Sequence, residues 1–253
     1  MPGRWVNLRY VEVVGKVAVG LTRLFGSVEP DGLAVLPFRG PAIVAVNHTT
    51  ICDVPPVLAT LHRAGLHPSV PCNREGCGVT HGHVRFMASS LVFANPFIGP
   101  LARQAGMIEV GGRQAGAAAL KAAHDALDRG EVVGIYPEGD VSATEDGSPR
   151  RFRFGIGRLA ADAKAPVIPV AHHDARRIGS GSIARSLGGA LTSIVRRPTI
   201  KLRVGKPILP DEFTGLPLRD VVEVIQDRVT DVWRSVSGES LPRLDLDQPE
   251  KPL

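Results

Sequence analysis

The sequence predicts an α/β fold: a mixed, largely parallel sheet flanked by helices, with an N-terminal amphipathic helix ahead of it. Three observations carry this. Apolar strand-length segments ("PAIVAVNH", "EVVGIYPEGD", "PVIPVAHH") alternate with longer segments of helical period. The runs are nearly continuous in apolar character, as expected of strands covered on both faces. A chain of 253 residues, 43% hydrophobic and 22% charged, has enough material for one large core. We therefore divide it into an amphipathic helical segment (1–29), a single α/β domain (30–241) and a polar, proline-containing tail (242–253) expected to be disordered.

At about 100° per residue, Arg9, Glu12, Lys16 and Arg23 fall within a sector of roughly 60°. Val6, Tyr10, Val13, Val14, Val17, Leu21, Leu24 and Phe25 fill the opposite side. Such a helix either packs on its own domain or lies with its apolar face in a lipid surface. A turn is expected at "EPDG", then a buried strand ending at His48. Asp53 is a good N-cap, and prolines are tolerated in a first turn, so a helix follows through "VLATLHRAG". The alanine-rich "AGAAALKAAHDALDRG" is a helix closed by Gly130, followed by the strand "EVVGIY" running into a Pro-Glu-Gly turn. Helix "GIGRLAADAKA", strands "PVIPVAHH" and "TIKLRVGKPI", and a helix from about Leu218 to Val236 complete the domain.

Composition narrows the function classes. Aromatic residues make up only 5%, which argues against stacking on single-stranded nucleic acid. The formal charge of +5 suits an anionic partner, such as a phospholipid surface or a phosphorylated molecule. Three cysteines cannot all pair within one chain, and the N-terminus lacks a cleavable-signal pattern. No run approaches the ~18 apolar residues of a spanning helix. The expectation is a cytoplasmic protein, peripheral on the inner face of the cell membrane.

In open α/β sheets, polar residues at the strand C-terminal ends mark the site. His48 and Asp53 stand at one such end. Five positions on a continuous helix are about 140° apart, so the pair meets only if His48 stays in the strand–helix turn. A carboxylate on Nδ1 would then leave Nε2 as a base; otherwise Asp53 is only a cap and His48 a turn residue. At the second end, "YPEGD" (Tyr136–Asp140), Gly139 permits a turn or close ligand approach and Glu138 is presented at the sheet edge.

These segments in this order resemble the glycerolipid acyltransferase family, the N-H-x4-D acyltransferases that include the 1-acylglycerol-3-phosphate acyltransferases. "NHTTICD" (Asn47–Asp53) matches the first family block in full. "YPEGDVS" (Tyr136–Ser142) keeps Pro137, Glu138, Gly139 and Ser142 of the third, and "PVIPV" (Pro166–Val170) matches the fourth. The resemblance covers roughly residues 30 to 210. It implies transfer of a fatty acyl group from acyl-CoA or acyl-carrier protein to a hydroxyl of a lysophospholipid or related acceptor. His48 would be the general base held by Asp53, with Asn47, Arg113, Glu138 and Gly139 at the substrate. It implies no cofactor, no metal and no nucleic acid partner; the acyl thioester is a co-substrate.

The departures concern the acceptor. Gly111 and Gly112 replace the usual Asp-Arg of the second block, Arg113 falls one place late, and Asp140 and Val141 stand where Thr and Arg are usual. Losing a fixed guanidinium and gaining a carboxylate weakens a phosphate site. A non-phosphorylated alcohol or amine is therefore the alternative acceptor, and a non-catalytic lipid-binding or interaction module the alternative class. The arginines of "HHDARRIGSGSIARS" and "VRRP" are either solvated or meet phosphates. Cys72, Cys77, His81 and His83 have the chemistry of zinc ligands at an uncommon spacing, where a flexible loop is the simpler reading. "GIGRLA" matches a dinucleotide loop but follows no convincing strand.

Overall fold

The computed structural model describes residues 8–36, 41–64, 66–67, 82–96, 98–111, 115–141, 144, 146–179 and 183–238. The strands are β1 (Ser27–Asp31), β2 (Ala42–Val46), β3 (Leu66–His67), β4 (Gly82–Ser89), β5 (Ile108–Val110), β6 (Val132–Ile135), β7 (Val167–His173) and β8 (Thr199–Val204). The α-helices are α1 (Leu8–Phe25), α2 (Val54–Arg63), α3 (Ser90–Ala94), α4 (Ile98–Gln104), α5 (Ala115–Asp128), α6 (Phe154–Ala163), α7 (Ile183–Arg196) and α8 (Leu218–Ser237). Among the described residues the strands run β1-β8-β7-β2-β6-β4, and β3 and β5 both pair with β4. Every named pair is parallel except β7 with β8. The sheet is thus mixed and largely parallel, with α1 leading it.

β2 lies in the middle of the sheet, and its alternate side chains feed two cores. Ile43 and Ala45 join α5, α6 and α8 on one face. Ala42, Val44 and Val46 join Ala18 of α1 and Val57, Leu58, Ala59 and Leu61 of α2 on the other. A strand buried on both faces has to be apolar throughout, as "AIVAV" is. Ala45 stands opposite Ile135 of β6, and Val46 opposite Val170 of β7. The residues that follow these strands therefore collect at one edge.

Several elements differ from expectation or were not read from the sequence. "EPDG" is not simply a turn: Glu29, Pro30 and Asp31 lie in β1, which among the described residues pairs only with β8, and an edge strand tolerates proline. The chain turns at Gly32, at φ 73°. Asp53 does not cap α2 through its side chain; the 3-10 turn Ile51–Asp53 precedes that helix, and the carboxylate reaches back to the Thr50 N–H. "GIGRLA" lies in a helix that follows no strand, as expected: α6 packs on α8. α7, within the basic region after β7, was not anticipated, and neither were β3, β4, α3, α4 and β5 between α2 and α5.

α1 packs on α2 through a narrow edge of small residues, Gly15, Ala18 and Thr22, which are buried. Its larger apolar side chains Val17, Leu21 and Leu24 point away from the domain and are exposed. The first of the two alternatives for this helix, an apolar face packed on its own domain, does not describe these three residues.

Candidate active site

β2 ends at Val46, and the next two residues go opposite ways. Asn47 is fully buried. Its side-chain oxygen accepts from the His172 N–H at 2.9 Å, and its amide nitrogen donates to the His172 carbonyl at 3.2 Å. With each amide atom bonded to the His172 backbone, the buried Asn47 side chain fastens β2 to β7, a structural role beside the substrate-binding one expected of it. His48 turns towards the surface, its side chain 16% exposed.

The His48 ring is held on two sides. Its Nδ1 lies 3.1 Å from each Asp53 carboxylate oxygen, and its face lies on Tyr136, ring centroids 4.3 Å apart. With only carboxylate oxygens before Nδ1, that nitrogen carries the proton and Nε2 the lone pair. Asp53 is fully buried, yet it is well supplied with donors. Oδ2 accepts from the Thr49 N–H at 2.8 Å and the Thr50 N–H at 3.1 Å, and His172 Nε2 lies 3.3 Å away. Burial pushes its pKa up, but His172 and His48, by charge and hydrogen bond, more than offset this and hold it well below the usual carboxylate range. Burial alone would lower His48; the hydrogen bond and charge of Asp53, then the charges of Glu138 and Asp140, leave it above its ordinary 6.5.

Glu138 supports this arrangement from the turn after β6. It is buried; Oε1 accepts from the His48 N–H at 2.8 Å and Oε2 from the Arg150 N–H at 3.0 Å. Burial pushes its pKa up to about 7, against the opposing effect of those two bonds. Because the folded form holds this proton more tightly than an unfolded glutamate, folding stability falls as pH rises from about 4.5 to about 7. Glu138→Gln is expected to flatten that decline, measured by urea unfolding at pH 5 and pH 8. Gly139, at φ 73°, makes the turn that follows. Arg153 lies over it, donating Nε–H to the Glu138 carbonyl at 3.2 Å.

The segment carrying Arg150 and Arg153 is anchored by α8, where buried Gln226 accepts the Phe152 N–H at 2.8 Å. Gln226→Leu leaves that buried donor unpaired and is expected to cost about 1–3 kcal/mol of stability, read by urea denaturation.

At the described residues the structure thus brings together His48, Asp53, Asn47 and Glu138, with Gly139 on the adjoining turn. Arg113, Gly112 and Ser142 lie outside the described residues, as do Cys72, Cys77 and His81; His83 lies in β4 and its side chain is not described. Gly111 follows β5, on the same edge but beyond β6 and β4. Tyr136 and His172 were not singled out from sequence. The signal was present, since both stand at strand C-terminal ends in quoted segments.

A family model for Acyltransferase matches residues 27–173, the interval that contains every contact to His48 and Asp53 described above. The chain belongs to the Acyltransferase family. It is 25% identical over 161 residues to the 1-acyl-sn-glycerol-3-phosphate acyltransferase of Bacillus subtilis, covering 62% of this chain and 72% of that one. It is 29% identical over 147 residues to an uncharacterized protein of Mycobacterium tuberculosis, of which it spans 36% of the length. The crystal structure of the 1-acyl-sn-glycerophosphate acyltransferase PlsC from Thermotoga maritima has the same fold, with TM-score 0.62 and 20% identity over 88% of this chain and 79% of that one. In this acyltransferase no helix among the described residues is long and apolar enough to cross a membrane.

Proposed function

We propose that the protein transfers a fatty acyl group from acyl-CoA or acyl-carrier protein to a hydroxyl of a lysophospholipid or related acceptor, with His48 as general base. The observation that supports this most directly is the seating of His48 Nδ1 on both Asp53 oxygens. It leaves Nε2 to take the acceptor's proton as its oxygen attacks the thioester carbonyl. The acyl–oxygen bond forms, the carbon–sulfur bond breaks, and the proton passes from His48 to the leaving thiolate. Asp53 keeps the imidazolium oriented and neutralised meanwhile.

A non-phosphorylated alcohol or amine acceptor is the second reading. Asp140, exposed on the turn after β6 and close enough to act on His48 by its charge, favours it, because a carboxylate repels an acceptor phosphate there. Purified protein incubated with acyl-CoA or acyl-carrier protein and acceptors with and without a phosphate tests both readings. Faster thioester consumption with a lysophospholipid supports the first reading, and faster consumption with the uncharged acceptor supports the second. No acceptor-dependent consumption above a His48→Ala control rejects the enzymatic reading.

The exposed apolar residues support a peripheral position on a lipid surface. α1, which exposes Val17, Leu21 and Leu24, contacts α7, which exposes Leu191 (68%), Ile194 and Val195 (87%), and the exposed Arg23, Arg196 and Arg197 lie at the ends of the two helices. Apolar side chains flanked by cations suit acyl chains beneath anionic headgroups. Leu21→Asp combined with Val195→Asp is expected to weaken sedimentation with phosphatidylglycerol vesicles by about ten-fold or more. Unchanged sedimentation rejects this placement.

A further inference from the structure

A second histidine stands behind Asp53, at the end of β7. His172 is fully buried, and its Nε2 lies 2.9 Å from the Asn47 carbonyl oxygen and 3.3 Å from Asp53 Oδ2. Both neighbours are acceptors, so Nε2 carries the proton and shares it between them. Nδ1 is buried with no hydrogen-bond partner among the described residues. An apolar side chain of similar size would fill this space without leaving a buried nitrogen unpaired. It would, however, leave the buried Asn47 carbonyl without this donor and would remove the N–H that lies beside the carboxylate holding His48. The ring's location is set from the backbone, because the Asn47 side chain binds both the N–H and the carbonyl of His172.

We propose that His172 is a positioning residue for acyl transfer: by donating its Nε2–H to Asp53 Oδ2 it fixes the carboxylate that orients His48 and moderates that carboxylate's hold on the His48 proton. This rests on the reading of His48 as the general base. Asp53 Oδ2 already receives the Thr49 and Thr50 N–H groups, which approach from its own turn. His172 approaches from β7, across the sheet, and so ties the carboxylate to the strand beside β2. Removing that donor concentrates negative charge on the oxygens facing His48 and makes its imidazolium more stable. A base that holds its proton more firmly delivers it less readily to the leaving thiolate. The other groups facing His48 are Glu138, Asp140 and the Tyr136 ring, and a change at residue 172 leaves all three in place.

Two polar variants separate this role from simple packing. His172→Gln can place an amide N–H near the position of Nε2, whereas in His172→Asn the amide ends nearer the position of Nδ1 and cannot reach Asp53. The first measurement is an NMR titration of the His48 ring without substrate. His48 in the Asn variant is expected to titrate at higher pH than in wild type, and in the Gln variant close to wild type. The second is steady-state acyl transfer, where the Asn variant is expected to lose about ten-fold in kcat with little change in KM, as for one hydrogen bond to a charged group. The Gln variant should recover most of that loss. Unchanged His48 titration in the Asn variant, or equal loss of kcat in both variants, overturns the proposal. If the Asn variant does not fold, the Gln variant alone decides, since a shifted His48 titration there is also contrary to expectation. If wild type consumes no thioester with any acceptor, the general-base reading fails, while the titration still decides whether His172 acts on His48 through Asp53.

Discussion

His48→Ala is expected to lower kcat/KM for acyl transfer by about 10²- to 10⁴-fold, the range contributed by a positioned general base. Stability should fall by less than for a change at Asp53, because the bond tying this turn to Glu138 uses the His48 backbone N–H and survives the substitution. The substitution removes the ring's contact with Tyr136 and one donor to the buried Asp53 carboxylate, which keeps its contacts with Thr49, Thr50 and His172. Thioester consumption at sub-saturating acceptor, with thermal unfolding as a control, separates lost chemistry from lost fold. A variant as fast as wild type removes His48 from the reaction. For wild type, kcat/KM should rise with pH through a group titrating above the ordinary histidine value of 6.5, because the base is active only when unprotonated and Asp53 favours the protonated form.

The second large effect is expected at Asp53, where substitution alters chemistry and stability together. An asparagine keeps the shape but has only one acceptor atom for the four donors that approach the carboxylate. If its amide nitrogen faces His48, the ring must accept at Nδ1, and the proton moves to Nε2, where it blocks the base. If it faces Thr49 and Thr50 instead, N–H opposes N–H. Either arrangement is expected to cost about 10³- to 10⁴-fold in kcat, comparable with the loss when the orienting carboxylate of a histidine base becomes an amide. Loss of the negative charge should also move the His48 limb of the pH–rate profile to lower pH, opposite in direction to the shift expected for His172→Asn.

Stability should fall by about 3 kcal/mol near neutral pH, since donors gathered around a buried charge lose their acceptor. The Asp53 pKa is lower folded than unfolded, so its stabilisation is complete above the unfolded value near 3.8 and is lost as pH falls towards the folded one. The difference between wild type and Asp53→Asn should therefore shrink as pH drops below about 4. Urea unfolding at pH 7 and pH 3 measures this.

The fold class was legible because its signals are local. "AIVAV", "VVGI" and "VIPVA" each have to be apolar to lie between two layers of helices, and that requirement is written in every residue of the run. β1 was hidden for the opposite reason: as an exposed edge strand containing a proline it carries no periodic apolar signal. The outward-facing side of α1 was visible as an apolar stripe. Periodicity could not say whether that stripe or the small-residue edge of Gly15, Ala18 and Thr22 met the domain.

The same distinction runs through the site. His48 and Asp53 are five residues apart, so a strand–helix turn suffices to bring them together, and the sequence by itself put that pairing within reach and determined the strand before it and the helix after it. Glu138 reaches His48 from 90 positions away and His172 reaches Asn47 from 125. Contacts at that range depend on β2 lying between β6 and β7, an order that no periodicity along the chain encodes. Only the tertiary structure decided that Asn47 is a buried clamp, that Glu138 supports the turn from beneath, and that a second imidazole stands behind the carboxylate. The physical reason is that a turn is closed by local dihedral angles, whereas the neighbours of a central strand are chosen by the packing of the whole sheet.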